Sequence, residues 1–74
     1  MNWDDLRFFT AVVQYQNISR SAKELGVSPQ TVSRKITAFE EKLGTTLFIR
    51  HPRGYQPTKD AMNLIDDVKS AEKI

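Results

Sequence analysis

Apolar residues recur along this chain at intervals of three and four. Trp3, Leu6, Phe9 and Val13, with Phe8 and Val12 widening the stripe, keep the period of a helix rather than that of a strand. They predict a first helix over residues 2–16, with Asn2 as its cap and Asp4 and Asp5 in the first turn, where the helix dipole favours negative charge. Ser19 then reads as the cap of a short second helix, residues 20–25, whose apolar positions are Ala22 and Leu25 and which Gly26 ends. Val27-Ser28-Pro29 is a tight connection, with Ser28 as the next cap and Pro29 at the first helical position, where a missing N–H costs nothing. The third helix, residues 29–43, carries Val32, Ile36, Phe39 and Leu43 on one stripe, and Gly44 stops it.

Rotating helix three by about 100° per residue gathers its four apolar residues in one sector and puts Gln30, Arg34 and Thr37 opposite, flanked by Thr31 and Ser33. Glu41 shares that face more than two turns further on, so the donor-rich, positive part is the beginning of the helix. After Thr45 the pattern changes. Leu47-Phe48-Ile49 is a short β-prone run, His51-Pro52-Arg53-Gly54 is a turn, and Tyr55-Gln56 supplies the return strand. This hairpin carries Arg50, His51 and Arg53 about its tip. Pro57 cannot donate to a ladder, and Thr58 caps a last helix with Ala61, Leu64, Ile65, Val68 and Ala71 on one stripe.

Composition narrows the picture. Seventy-four residues with 39% hydrophobic content make one small core, and a chain of this size gains by pairing with a second copy. The sequence has no cysteine and a single histidine, His51, so disulfides, thiolate chemistry and cysteine-based metal sites are excluded, and neither a metal nor a cofactor is expected. No apolar run resembles a membrane span or a signal core; the expectation is a cytoplasmic protein without membrane contact. The net charge of +2 conceals an uneven distribution. Asp4 and Asp5 outweigh Arg7 at the start, and Asp60, Asp66, Asp67 and Glu72 outweigh Lys69 and Lys73 at the end. Between them lie Arg20, Lys23, Arg34, Lys35, Lys42, Arg50, Arg53 and Lys59 against Glu24, Glu40 and Glu41. A basic middle between acidic ends suits a face that meets a polyanion.

Catalysis finds no support. His51 has no carboxylate near it in sequence and sits in a turn, while Glu40-Glu41 and Asp66-Asp67 are neighbours that diverge on a helix. An enzyme is not expected. Nucleic acid fits better: two helices joined by a short turn containing glycine, the second presenting Gln, Thr, Ser and Arg at its start, have the layout of a helix-turn-helix. Ala22 must be small where the helices cross, and Val27, Val32 and Ile36 must lock their angle. The basic hairpin beside the recognition helix can bring Arg53 to the adjoining minor groove, where negative potential concentrates. The whole is a mainly α winged helix-turn-helix, with a three-helix core, a small β-hairpin wing and a last C-terminal helix. A protein-interaction module using the last stripe is the rival reading, and an architectural or RNA-binding winged helix is the third.

Together these residues resemble the N-terminal winged helix-turn-helix of the LysR-type transcriptional regulators. The resemblance rests on Leu6-Arg7-Phe8-Phe9, on Ser19 to Leu25, on Val27 to Ile36, on Phe39-Glu40-Glu41-Lys42-Leu43-Gly44, and on Leu47-Phe48-Ile49-Arg50 with Arg53-Gly54 and Thr58. Here Pro29 precedes Gln30, whereas family members often have the reverse order. The resemblance implies a DNA-binding domain over residues 1–57 and, over 58–74, the start of a linker helix that pairs in a homodimer through Ala61, Leu64, Ile65, Val68 and Ala71. It also implies a longer regulator, whose effector-binding C-terminal domain this chain lacks.

On that reading Gln30, Thr31, Ser33 and Arg34 face base edges of a double-stranded operator, an interrupted inverted repeat. Arg34 is suited to a bidentate contact with guanine, and Arg53 enters the minor groove. Ser19, Arg20, Ser28, Lys35, Arg50 and His51 are expected at phosphates, where contacts fix register without reading sequence.

Overall fold

The expected elements form in the expected order. A computed structural model describes residues 2–72, with side chains through residue 69. It consists of α1 (Trp3–Tyr15), α2 (Ile18–Leu25), α3 (Pro29–Leu43), β1 (Phe48–His51), β2 (Gly54–Pro57) and α4 (Lys59–Glu72). Each of the first three helices starts at a polar cap in extended conformation: Asn2 Oδ1 accepts the Asp5 N–H at 2.8 Å, Asn17 Oδ1 that of Arg20 at 2.8 Å, and Ser28 Oγ that of Thr31 at 3.2 Å. Helix α2 therefore begins earlier than the sequence suggested. Asn17, not Ser19, caps it, and Ser19 lies inside its first turn.

Phe9 is the hub of the core. It is fully buried, with the Phe39 ring 5.7 Å away on α3 and the Phe48 ring 5.9 Å away on β1. Phe8, Val12, Ala22, Val32, Ile36, Leu47, Ala61 and Ile65 complete the cluster. Burying a side chain the size of Phe9 contributes about 1.5–3 kcal/mol. The polar Ser21 is tolerated at the α1–α2 crossing because its hydroxyl reaches the Asn17 carbonyl at 2.8 Å and that of Ala11 at 3.4 Å. Two members of the predicted stripes stay outside: Trp3, at the first position of α1, is 70% exposed, and Leu43, at the last position of α3, is 37% exposed. At the ends of their helices both run past the elements that cover the middle.

The wing is an antiparallel pair in register Phe48↔Pro57, Ile49↔Gln56, Arg50↔Tyr55 and His51↔Gly54, which leaves Pro52 and Arg53 as the loop. The Tyr55 N–H leaves the ladder for the Gln16 carbonyl at 3.0 Å, and the Phe48 N–H leaves it for Glu40 at 3.2 Å. Arg50↔Tyr55 and Phe48↔Pro57 are therefore the non-hydrogen-bonded pairs of the alternation. Pro57 sits where a strand residue would point its N–H outward, so its missing donor interrupts nothing. Thr58 then starts α4: its hydroxyl accepts the Ala61 N–H at 3.2 Å and donates to the Thr46 carbonyl at 2.9 Å, tying the helix to the loop before β1.

The stripe on α4 divides. Ala61 (0% exposed) and Ile65 (3%) belong to the core of the single chain, which removes them from the pairing surface expected of them. Leu64 is half-buried against that core, and half-buried Val68 lines a hollow with Trp3, Leu6 and Leu25. Ala71 lies outside the residues whose side chains are described. The helix instead turns Met62, Asn63, Asp66 and Asp67 outward. No described helix is long and apolar enough to cross a membrane.

Candidate nucleic-acid interface

The start of α3 is held by Ser28. Its hydroxyl takes the Thr31 N–H and lies 2.9 Å from the Thr31 hydroxyl, so the two side chains share one proton between them and keep the other for an outside acceptor. Gln30 and Arg34 stand one turn apart on the exposed face beyond, separated by about 6 Å along the axis. Among the described residues Arg34 makes no ion pair. A planar fork of five donors left unsatisfied by the protein suits an acceptor pair outside it.

Ser33 and Thr37 occupy the edge of that face nearest the wing. The Ser33 hydroxyl is 3.4 Å from the Tyr55 hydroxyl, and Thr37 Oγ1 accepts from Arg50 Nη2 at 2.8 Å. Ser33 is accordingly half-buried and directed at the hairpin, unlike Gln30 and Arg34. Arg50, expected at a phosphate, is exposed but leans along the surface toward α3. Besides Thr37 its guanidinium meets Glu40 Oε1 at 3.4 Å and lies 5.1 Å from the centre of the Tyr55 ring.

Arg53 stands at the wing tip, exposed and outside every described ion pair. His51 follows on the outer face, its Nε2 3.3 Å from Gln56 Oε1. The tip closes on α2: Ser19, with Asn17 and Ile18, lines a hollow of about 190 Å³ whose other wall is His51 to Tyr55. The first turn of α2 leaves the N–H groups of Ile18 and Ser19 without helical partners, since the Arg20 and Ser21 N–H groups already bond Asn17. Arg20 lies 5.0 Å over the Tyr15 ring and Lys35 Nζ 5.8 Å over Phe8. Both keep their charge in solvent, with the stem against an aromatic surface.

Two basic residues of the middle segment are neutralised within the fold, Arg50 by Glu40 and Lys42 by Asp5 at 2.9 Å. Arg20, Arg34, Lys35 and Arg53 remain available around α3, the start of α2 and the wing tip. Sequence patterning missed Glu40 and Tyr55. Glu40 sits at the margin of the apolar stripe, where periodicity does not separate solvated from bonded acids, and Tyr55 reads from sequence as a strand residue and the one aromatic of the basic face, with no sign of its contact with Ser33. The opposite charges of Glu40 and Arg50 were the available signal.

Residues 3–62 match the family described as "Bacterial regulatory helix-turn-helix protein, lysR family". The chain is 39% identical over 66 residues to the carbapenem-hydrolyzing beta-lactamase transcriptional activator of Enterobacter cloacae and 41% identical over 66 residues to the transcriptional regulator LeuO of Escherichia coli. Each alignment takes in 89% of this chain and 22% or 21% of the relative, so the chain spans about a fifth of their length. Its fold is similar to a crystal structure of a CbnR_DBD-DNA complex, with a TM-score of 0.90 at 30% identity, covering 99% of this chain and 84% of that one. It is similar also to a BenM_DBD/catB site 1 DNA complex, with a TM-score of 0.76 at 30% identity, covering 99% and 86%. With the family pattern running from α1 into α4 on a winged helix-turn-helix, the chain belongs to the lysR family of bacterial regulatory helix-turn-helix proteins.

Proposed function

We propose that this chain binds double-stranded DNA in a sequence-dependent manner, as the DNA-binding part of a cytoplasmic LysR-type transcriptional regulator that does no catalysis of its own. The observation that carries the reading is the pair of unsatisfied arginines: Arg34 on the exposed face of α3 and Arg53 at the wing tip, both outside the ion pairs of the fold. Helix α3 enters the major groove, where Gln30 and Arg34 face base edges and the Thr31 and Ser28 hydroxyls, bonded to each other, keep one proton for an outside acceptor. Arg53 enters the adjoining minor groove. Ser19, Arg20, Ser28, Lys35 and His51 meet phosphates along the way. The solved complexes of similar fold contain DNA, and the similar relatives carry the names of transcriptional regulators.

Pairing of two copies uses α4 on the flanks of its buried Ala61 and Ile65, with exposed Met62 on one side and half-buried Leu64 and Val68 on the other. A symmetric dimer reads an inverted repeat whose spacing reports the separation of the two α3 helices. Selection from random duplex DNA at near-physiological salt tests this. Recovery of a spaced inverted repeat is expected. Retained DNA without any shared sequence would replace the reading by backbone binding alone, and no retained DNA would favour a protein-interaction module.

A further inference from the structure

Glu40 sits where α3 meets the root of the wing. Its Oε2 accepts the Leu47 N–H at 2.7 Å and the Phe48 N–H at 3.2 Å, while Oε1 faces Arg50 Nη2 at 3.4 Å. That arginine donates to Thr37 and covers the Tyr55 ring, and Tyr55 in turn reaches Ser33. Ser33, Thr37 and Glu40 lie along one edge of α3, and Arg50 and Tyr55 are cross-strand partners. Ser33, Thr37 and Glu40 each join the helix to the hairpin or its root, and the Arg50–Tyr55 contact closes the series within the hairpin. The Glu40 side chain is 15% exposed, and hydrogen bonds to an ionised, sheltered carboxylate are about twice as strong as neutral ones. A two-stranded hairpin is marginal by itself. Its angle to α3 needs tethers from outside: Phe48 in the core and Tyr55 on Gln16 hold it to the body, and Glu40 and Arg50 hold it to α3.

We propose that Glu40 is a positioning residue for DNA binding: with Arg50 as its strap it sets the wing against α3, and so fixes the offset between Arg53 and Arg34. The inference rests on the reading of α3 and Arg53 as the DNA-contacting groups. A wing free to swing would have to be ordered at each encounter, and the Arg53 contact would then carry that entropy cost.

A double-mutant comparison on the full chain, using a duplex recovered by the selection above, tests it. Arg53→Ala in the unsubstituted chain is expected to weaken binding about tenfold. Glu40→Gln keeps an oxygen for the two N–H groups but presents a neutral amide to Arg50, and Arg50→Met keeps an apolar stem over Tyr55. In either background the Arg53→Ala effect is expected to shrink to about twofold or less, with the helical circular dichroism retained. A tenfold effect persisting in both backgrounds overturns the proposal, leaving Glu40 a contributor to stability alone. Tighter binding of every duplex by Glu40→Gln, with steeper salt dependence, also overturns it, since Arg50 would then be a phosphate contact that Glu40 restrains. If Glu40→Gln does not fold, Arg50→Met decides. No Arg53 effect in the unsubstituted chain would remove the wing reading itself, an outcome distinct from the other two.

Discussion

Gly54, the first residue of β2, lies directly against the backbone carbonyl of Gln16, the left-handed residue that ends α1. A Cβ at position 54 would overlap that oxygen, and the Gly54 φ of 153° is one that other residues rarely adopt. The next residue uses the same carbonyl, through the Tyr55 N–H at 3.0 Å. The wing is thus fastened to α1 near its tip as it is to α3 along its root.

Gly54→Ala is expected to destabilise the fold by about 1–3 kcal/mol through backbone strain alone, with the steric overlap adding to it. In a domain of this size each kcal/mol lowers the melting temperature by about 4–8 °C. Gly26→Ala, at φ 72° with nothing within 4 Å of the added carbon, should cost about 1–2 kcal/mol. Thermal unfolding followed by circular dichroism ranks the two; equal losses would count against the Gln16 contact.

Arg34→Ala is expected to lower affinity for the selected duplex by about 1–3 kcal/mol and to relax preference at one base position. Lys35→Ala should weaken every duplex alike and reduce the slope of log K against log salt by about one. Fluorescence anisotropy against cognate and scrambled duplexes over a salt series separates the effects. A uniform loss for Arg34→Ala would move that residue to the phosphates.

The Lys42 ammonium, bonded to Asp5 at 2.9 Å, holds the Asp5 carboxyl below its ordinary value of 3.8, helped by the Asn2 backbone and the more distant charge of Lys35 and opposed by burial. A depressed carboxyl stabilises the folded state fully above its unfolded pKa and loses that contribution as pH falls through the folded value. Stability should therefore decline below about pH 4, by at most about 1 kcal/mol for an exposed lysine partner. Urea midpoints at neutral and acid pH should differ more for the unsubstituted chain than for Lys42→Met. An equal acid loss in both would place its origin elsewhere.

Ile65→Ala is expected to cost about 2–5 kcal/mol of fold stability, because the side chain fills the core of the single chain. Met62→Lys, at a position 45% exposed, should leave the melting temperature of the dilute chain nearly unchanged while weakening self-association. Sedimentation over a concentration series reads the second effect. Unaltered association in Met62→Lys would exclude that side of α4 from pairing.

These residues also mark how far sequence reading carried. Helix α3 appeared with its full extent because Ser28-Pro29 and Gly44 bracket an unbroken apolar period. The start of helix α2 is ambiguous in sequence, since Asn17 and Ser19 both suit a cap and only the extended backbone at Asn17 decides. The α4 stripe was recognised as apolar, but a stripe does not say which molecule covers it: Phe9 and its neighbours take Ala61 and Ile65. Arg50 and Arg53 look alike as basic hairpin residues. Strand alternation turns the first toward Thr37 and Glu40, and the loop leaves the second in solvent.

The alternation in the wing bears also on how copies of this chain meet. Along the free side of β2, Tyr55 donates to Gln16 and Pro57 has no donor; along the free side of β1, Phe48 donates to Glu40, which leaves Arg50 alone to offer an outward N–H. A foreign strand laid against either side finds outward carbonyls but almost no N–H to accept from, so both edges are poor templates for edge-to-edge pairing. The donor-poor edges work against growth of a sheet from the wing, which lets a basic hairpin stay exposed at high local concentration.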